Sequence, residues 1–253
     1  MPTRSIPSGK ILLGDGRSDS FRGNADVIYW PSVGIVGARN ATVKAQSVAA
    51  DAAAQCAGRG VAVVSGNDRG IDHTAHLSAL EVGGATILVL AQGLGGFYLR
   101  ESLRVIADWR RLLLISQWSD NQGWQAWRAM KRNETICQLS DAAIVAQAAA
   151  VSGTMSTGLA AQRMGISLHV AVYKEQDEKC YTGNRELLAA GASSLQFSVL
   201  RSQANMSAVW QDVARAERKG TGREKISGSG RAGRSTEAIT SMGSCSMPGT
   251  AIQ

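Results

Sequence analysis

Paired cysteines, long apolar runs and a secretory leader are all missing from this sequence of 253 residues. The four cysteines lie far apart and form no CxxC pair, which argues against both a disulfide framework and a structural zinc site. No apolar run reaches the roughly 18 residues that a membrane helix needs. Residues 1–10 contain no apolar segment of the kind found in signal peptides. We therefore expect a cytoplasmic protein with no membrane partner.

Strong positive charge is also missing from most of the chain. The net charge is +7, but residues 201–253 contain eight basic and four acidic residues and so carry +4 of it. The preceding 200 residues are only mildly basic. Any binding of nucleic acid must therefore depend on locally placed cations.

The chain divides by composition. Residues 220–253 are rich in glycine and serine without apolar periodicity, so we expect a disordered C-terminal tail. A short helix over residues 206–219 precedes it, with Met206, Val209, Trp210 and Val213 on one face. We expect an N-terminal extension at 1–21, one domain at 22–200, a helix or linker at 201–219 and then the tail.

Short apolar runs alternate with helix-like segments through the middle of the chain. The runs predict buried strands at 33–37, 61–65, 85–91, 112–116, 142–146 and 168–172, with helices at 42–57, 71–82, 99–107 and 154–164. Uninterrupted apolar strands between helices are typical of a parallel sheet covered on both faces. The fold class is therefore α/β, a doubly wound, mostly parallel, Rossmann-like sheet.

Ligands of such sheets bind beyond the carboxyl ends of the strands. Glycines there admit close approach, and the free N–H groups of helix N-termini attract anions. The residues that follow the strands predict a phosphate cradle formed by Gly37, Arg39, Ser65, Gly66, Arg69, Ser152, Gly153 and Thr154. Asp72, near the start of a helix, either stabilises that helix end or also orients Arg69.

Motifs of several enzyme classes do not fit. The first loop, GARN, lacks the later glycines of GxGxxG, and no acidic residue ends the second strand to contact a ribose. GxxxxGK[ST] and GxSxG are absent, which argues against a P-loop NTPase and a hydrolase triad. His73 and His76 have no further metal ligand at suitable spacing, so packing or capping is favoured over a metal site. We expect no catalytic residue, no metal and no cofactor.

Four tryptophans, Trp109, Trp118, Trp124 and Trp127, precede a pair of cations at 131–132. Aromatic rings beside cations can stack on bases. They can equally pack a loop over the sheet. Packing is the preferred interpretation for Trp109 and Trp118, and both interpretations stay open for Trp124 and Trp127.

Several blocks together resemble the DprA/Smf family of DNA-processing proteins. These blocks read GIVGARN, SGNDRGIDHTAH, KRNETICQLSDAAIVAQAAAVSGT and GNRELLAAGA, and their order and spacing match over about residues 22–195. More remotely, the chain resembles the Rossmann-like superfamily of LOG-type phosphoribohydrolases.

The resemblance implies a cytoplasmic protein that binds single-stranded DNA, helps to load a RecA-type recombinase during transformation and commonly forms a homodimer. It implies that no nucleotide cofactor is needed. By position it adds Lys131, Arg132 and Asn133 to the phosphate site. Here the family's Phe-Pro pair is lost and Glu134 replaces an arginine, so we expect a short, divergent member with weakened affinity.

Two other functions remain open from the sequence. A LOG-like nucleotide phosphoribohydrolase would need a catalytic glutamate, but Gly158 or Leu159 stands about where it should be. A sensor of a small nucleotide-derived ligand would use the same cleft. A domain that has lost DNA binding and serves a protein partner is the least specific alternative.

Overall fold

The structure is a computed structural model, and it describes residues 6–173 and 179–219. Within these ranges a nine-stranded sheet carries helices on both faces. The strands of this sheet are β1 (Ser8–Leu12), β2 (Ser18–Gly23), β3 (Ser32–Gly37), β4 (Ala62–Ser65), β5 (Thr86–Leu90), β6 (Leu112–Ser116), β7 (Ala142–Gln147), β8 (Ser167–Ala171) and β9 (Ser193–Leu195). A separate two-stranded ribbon joins β10 (Phe197–Ser198) to β11 (Gln203–Ala204).

Seven α-helices connect or follow these strands in the described residues. They are α1 (Val43–Gly58), α2 (Ile71–Glu81), α3 (Glu101–Ile106), α4 (Ala126–Gln138), α5 (Gly153–Arg163), α6 (Thr182–Ala189) and α7 (Ser207–Lys219). None of the helices in the described residues is long and apolar enough to span a membrane.

The strand order is β1-β2-β6-β5-β4-β3-β7-β8-β9, and every pairing from β6 to β9 is parallel. The predicted doubly wound, mostly parallel sheet is therefore confirmed. From β3 the chain adds β4, β5 and β6 on one side and then crosses back to place β7 on the other. The switch point lies between β3 and β7, where such folds open a crevice.

Side chains from both faces of the sheet fill the core. Alanines of α1 and α2 pack with Val33, Ile35 and Val63 on one face, while Ile136 and Leu187 pack with Val145 on the other. The predicted face of α7 is also confirmed, because its Val209 and Val213 join the first cluster. Burial of this apolar surface is the main stabilising contribution to the fold.

Two regular elements escaped the sequence patterns. The hairpin of β1 and β2 extends the sheet as an antiparallel edge, although its residues show little apolar alternation. Arg17 contacts Asp19 within the hairpin at 2.8 Å and Thr135 of α4 at 2.8 Å, while Ile11 and Phe21 pack into the core. Helix α4 occupies residues 126–138, where we predicted no helix, and its buried Ala129 and Ile136 are seven residues apart.

Candidate functional site

A cavity of about 470 Å³ opens at the switch point between β3 and β7. We call it the edge cavity. Its wall consists of the loops after β3, β4 and β7, the starts of α2 and α5, and one face of α4. The polar residues that line it are Arg39, Asn40, Asp68, Asp72, Asn133, Gln147, Ser152, Thr154 and Thr157.

The start of α5 forms the anion-attracting side of the cavity. The Ser152 side chain accepts a hydrogen bond from the Met155 N–H at 3.1 Å and so caps the helix. Helix geometry leaves the N–H groups of Gly153 and Thr154 without a partner inside the helix. Since both residues line the cavity, these N–H groups and the helix dipole favour a negative charge there.

Arg39 stands at the rim of the cavity with about half of its side chain exposed. Its guanidinium lies 3.1 Å from Asp68 Oδ1 and 5.3 Å from the centre of the Trp124 ring. The salt bridge and the ring together orient the side chain. Because the guanidinium is already oriented, it can bind two phosphate oxygens with little further loss of side-chain entropy.

Arg132 differs from our expectation of a surface phosphate contact. Only 3% of its side chain is exposed, and the guanidinium donates to the Val89 carbonyl at 2.9 Å and to Asp68 Oδ2 at 2.9 Å. Asp72 lies 3.9 Å away. A β-carbon at Gly66 would overlap Arg132 Nη1, so the glycine makes room for the arginine. Arg132 therefore fixes the position of Asp68 by an ion pair, and Asp68 in turn orients Arg39.

Asp72 supports the site, but through Arg132 rather than Arg69. The residue is 5% exposed, and burial raises the pKa of its carboxyl to about 6, while the nearby Arg132 charge acts to lower it. Asp72 Oδ2 also accepts a hydrogen bond from the Asp68 N–H at 3.4 Å. The buried carboxylate thus joins the loop after β4 to α2.

Ser65 and Gly66 lie beneath the cavity and do not line it. The Ser65 hydroxyl donates to the Ile35 carbonyl at 2.6 Å. The Gly66 carbonyl lies 2.6 Å from Nε2 of the fully buried His76, whose pKa burial lowers to about 3. A neutral His76 that is hydrogen-bonded in the core agrees with the predicted packing role. These residues fix the loop after β4 in place.

Arg69 and Lys131 also lie outside the cavity wall. Arg69 is exposed, and within the described ranges its side chain has no hydrogen-bond or ion-pair partner. Its neighbour Gly70 has φ of +77°, and a β-carbon there would overlap the Ala38 carbonyl oxygen. Glycine at this position therefore lets the Arg69 loop lie directly against the loop after β3, at the cavity rim.

Lys131 faces the other side of α4, where its Nζ lies 2.7 Å from Glu134. Glu134 therefore does not line the edge cavity. Of the predicted phosphate-binding residues, those that do line it are Gly37, Arg39, Asn133, Ser152, Gly153 and Thr154, and the predicted supporting residue Asp72 lines it as well. Sequence reasoning missed Asn40, Asp68, Gln147 and Thr157, although Asn40 and Asp68 lie in loops after predicted strands, Gln147 ends β7 and Thr157 lies in the first turns of α5.

The fold and the cavity define a Rossmann-like α/β protein with a cleft suited to phosphate at its strand switch point. The sequence matches the DNA recombination-mediator protein A family over residues 20–204, and the chain belongs to that family.

Individual relatives are similar over shorter stretches. DNA processing protein DprA of Streptococcus pneumoniae is 32% identical over 139 residues, which span 54% of this chain and 49% of the relative. A putative DprA of Mycobacterium tuberculosis is 36% identical over 135 residues, covering 52% of this chain and 34% of the relative. This chain thus spans half or less of the length of these relatives.

Solved structures share the fold. The X-ray structure of DprA from S. pneumoniae superposes with a TM-score of 0.65 at 26% identity, covering 76% of this chain and 71% of that one. DprA from Helicobacter pylori, in a structure that concerns its single-stranded DNA binding mode, gives 0.67 at 22% identity, with 85% and 97% covered. The second likeness shows the fold alone.

Proposed function

We propose that this chain binds single-stranded DNA through its phosphate backbone at the edge cavity and acts as a DNA-processing protein of the recombination-mediator type. The observation that carries the proposal is the convergence of Arg39 and the free N–H groups of Gly153 and Thr154 on one cavity at the switch point. Family membership and the single-stranded DNA binding of the H. pylori relative support it.

The mechanism is electrostatic. Arg39 at the cavity and Arg69 at its rim neutralise successive phosphates, and the released counterions drive binding. Backbone contacts of this kind position a strand without reading its sequence. The positive charges of Arg39 and Arg132 are balanced by the carboxylates of Asp68 and Asp72. The net positive charge at this side of the cavity therefore comes from Arg69.

Binding rather than catalysis fits the chemistry of the cavity. A phosphoribohydrolase would need an unpaired carboxylate, but Asp68 and Asp72, the two acids that line the described cavity, both face arginines. A β-carbon at Gly158 would lie 2.7 Å from the Leu187 side chain, so that position is turned into the packing between helices. A glutamate there would not reach the cavity.

A recombinase of the RecA type, a second copy of this chain and a cytoplasmic setting complete the proposal. Membership of the recombination-mediator family supports each of them. Co-sedimentation with a recombinase on single-stranded DNA and light scattering of the purified chain are the direct tests.

A nucleotide-derived small ligand is the second candidate, because a volume of about 470 Å³ falls within the range of small-molecule sites. Thermal shift with nucleoside monophosphates separates it from DNA binding, since a ligand that binds the folded state raises the melting temperature of the protein.

The primary test is fluorescence anisotropy of a labelled oligonucleotide with R39A and R69A. We expect each variant to bind about tenfold more weakly or worse, because a charge-assisted hydrogen bond contributes about 1.5–3 kcal/mol. R110A removes the same charge before β6, at the opposite edge of the sheet, from a side chain that is 89% exposed. If R39A and R69A both bind as tightly as the wild type and R110A, the edge cavity is not the DNA site.

A further inference from the structure

Helix α4 exposes large apolar side chains beside the edge cavity. Trp127 is 55% exposed and Met130 is 57% exposed. Side chains of this size normally contribute to a core, so a cluster of them in water marks a contact surface. Contacts with neighbouring side chains fix the orientation of the Trp127 ring. The Trp127 ring packs edge to face on Trp118 with 5.1 Å between centroids, and the Arg128 guanidinium lies 5.2 Å from the centre of each ring.

These rings border a groove of about 710 Å³, which we call the α4 groove. Trp118, Trp127, Lys131, Arg163 and Ser156 contribute to its walls. Met130 and Asn133 line both the α4 groove and the edge cavity. The two depressions therefore lie on either side of a single ridge on α4.

The α4 groove carries positive charge. Lys131 is paired with Glu134 at 2.7 Å, which cancels one cation. The charge of the exposed Arg163 remains, since its side chain has no ion-pair or hydrogen-bond partner in the part of the chain that the structure describes. An aromatic wall beside an unpaired cation suits a ligand that presents a flat ring and a negative charge together.

An unpaired nucleotide has both features. A strand whose phosphates occupy the edge cavity would pass over Met130 and Asn133 and place its next bases in the α4 groove. In duplex DNA the faces of the bases are covered by their stacked neighbours, whereas a single strand can expose them. The groove would thus add a preference for single strands, which phosphate contacts alone do not give.

We propose that the α4 groove is a nucleobase site in which an unpaired base stacks on the Trp127 ring while Arg163 contacts the flanking phosphate. This proposal rests on the proposed function, because the edge cavity holds the strand that delivers the base. Stacking on an aromatic ring tolerates any base, so the site gives strand selectivity without sequence preference.

The test compares two labelled oligomers of equal length, oligothymidylate and an abasic oligomer that keeps the phosphates and sugars. W127A should weaken binding of oligothymidylate about tenfold, within the usual range for base stacking, and leave binding of the abasic oligomer almost unchanged. W127F should retain most of the affinity, because it keeps an aromatic ring.

Y29A is the matched control, since Tyr29 is 54% exposed and precedes β3 at the opposite edge of the sheet. Thermal melts of all variants verify that they fold.

The outcomes separate the two proposals. If the wild type binds neither oligomer, the proposed function itself fails. If the wild type binds both but W127A behaves like Y29A, DNA binding stands and the base site is wrong, which leaves the rings as a protein contact. If W127A loses affinity equally for both oligomers, the ring supports the backbone path and does not stack on bases, and the proposal is again overturned.

Discussion

Arg132 shows how a residue can matter to a binding site without touching the ligand. Its guanidinium is buried between Asp68 and Asp72. Removal of one member of a buried ionic cluster leaves uncompensated charge and costs about 3–5 kcal/mol. We therefore expect R132M to lower the free energy of unfolding by about 3 kcal/mol in urea denaturation. A variant as stable as the wild type would show that the cluster is not a structural element.

Asp72 makes stability depend on pH in an unusual direction. Burial raises its pKa to about 6 in the folded chain from an ordinary value of 3.8. Between these values the folded state holds a proton that the unfolded state has lost. The contribution of Asp72 to stability is therefore present below pH 4 and declines up to about pH 6, by roughly 3 kcal/mol.

D72N removes this titration while preserving the shape of the side chain. The difference in free energy of unfolding between D72N and the wild type should increase in favour of D72N from pH 4 to pH 6. Parallel urea titrations across that range measure it. A difference that stays constant with pH would contradict the raised pKa.

Residue-scale roles were the hardest to predict from the sequence. The KRN segment shows two adjacent cations, and nothing in its letters distinguishes Lys131 from Arg132. The distinction arises because one side of α4 faces the sheet, where Gly66 leaves space and Asp68 supplies a partner. These contacts join residues more than 60 positions apart, so local patterns do not reveal them.

At the scale of elements, the strands were predictable because their burial is continuous along the chain. The strand prediction at 112–116 coincides with β6, and every residue of that strand is buried. The hairpin of β1 and β2 was not predictable, since its pairing with β6 and the contact from Arg17 to Thr135 of α4 join segments that are far apart in the sequence. Helix α4 was obscured because its buried side includes the polar residues Arg132 and Thr135 while its exposed side includes Trp127, so the apolar periodicity is weak in the sequence.

The start of α5 gives a prediction that separates capping from charge. Ser152 caps the helix through Met155, and asparagine and aspartate cap about as well as serine. S152N and S152D should therefore both keep the stability of the wild type, whereas S152A should lose about 1 kcal/mol. Only S152D places a negative charge beside the N–H groups that would bind phosphate.

We accordingly expect S152D alone of the two capped variants to bind single-stranded DNA several-fold more weakly. Anisotropy and urea denaturation on the same preparations measure both properties. Equal affinity of S152N and S152D would mean that no phosphate approaches this helix end.

For the whole molecule, the position of α7 decides where the chain can be shortened to measure how residues 220–253 contribute to DNA binding. Met206, Val209 and Val213 belong to the buried cluster on one face of the sheet. A chain that ends at residue 200 would lose these side chains and expose their partners. A truncation that tests the tail must therefore fall after α7, at residue 219. Our division of the chain at residue 200 stays a prediction.

The salt dependence of binding then distinguishes the folded domain from the tail. If Arg39, Arg69 and Arg163 each neutralise one phosphate, the logarithm of affinity should fall against the logarithm of salt concentration with a slope of about −2 in residues 1–219. The full chain should give a steeper slope, because the sequence beyond residue 219 adds the cations Arg223, Lys225, Arg231 and Arg234. These lie outside the described residues. Loss of all binding on truncation would assign the DNA contact to the tail and leave the edge cavity for a small nucleotide.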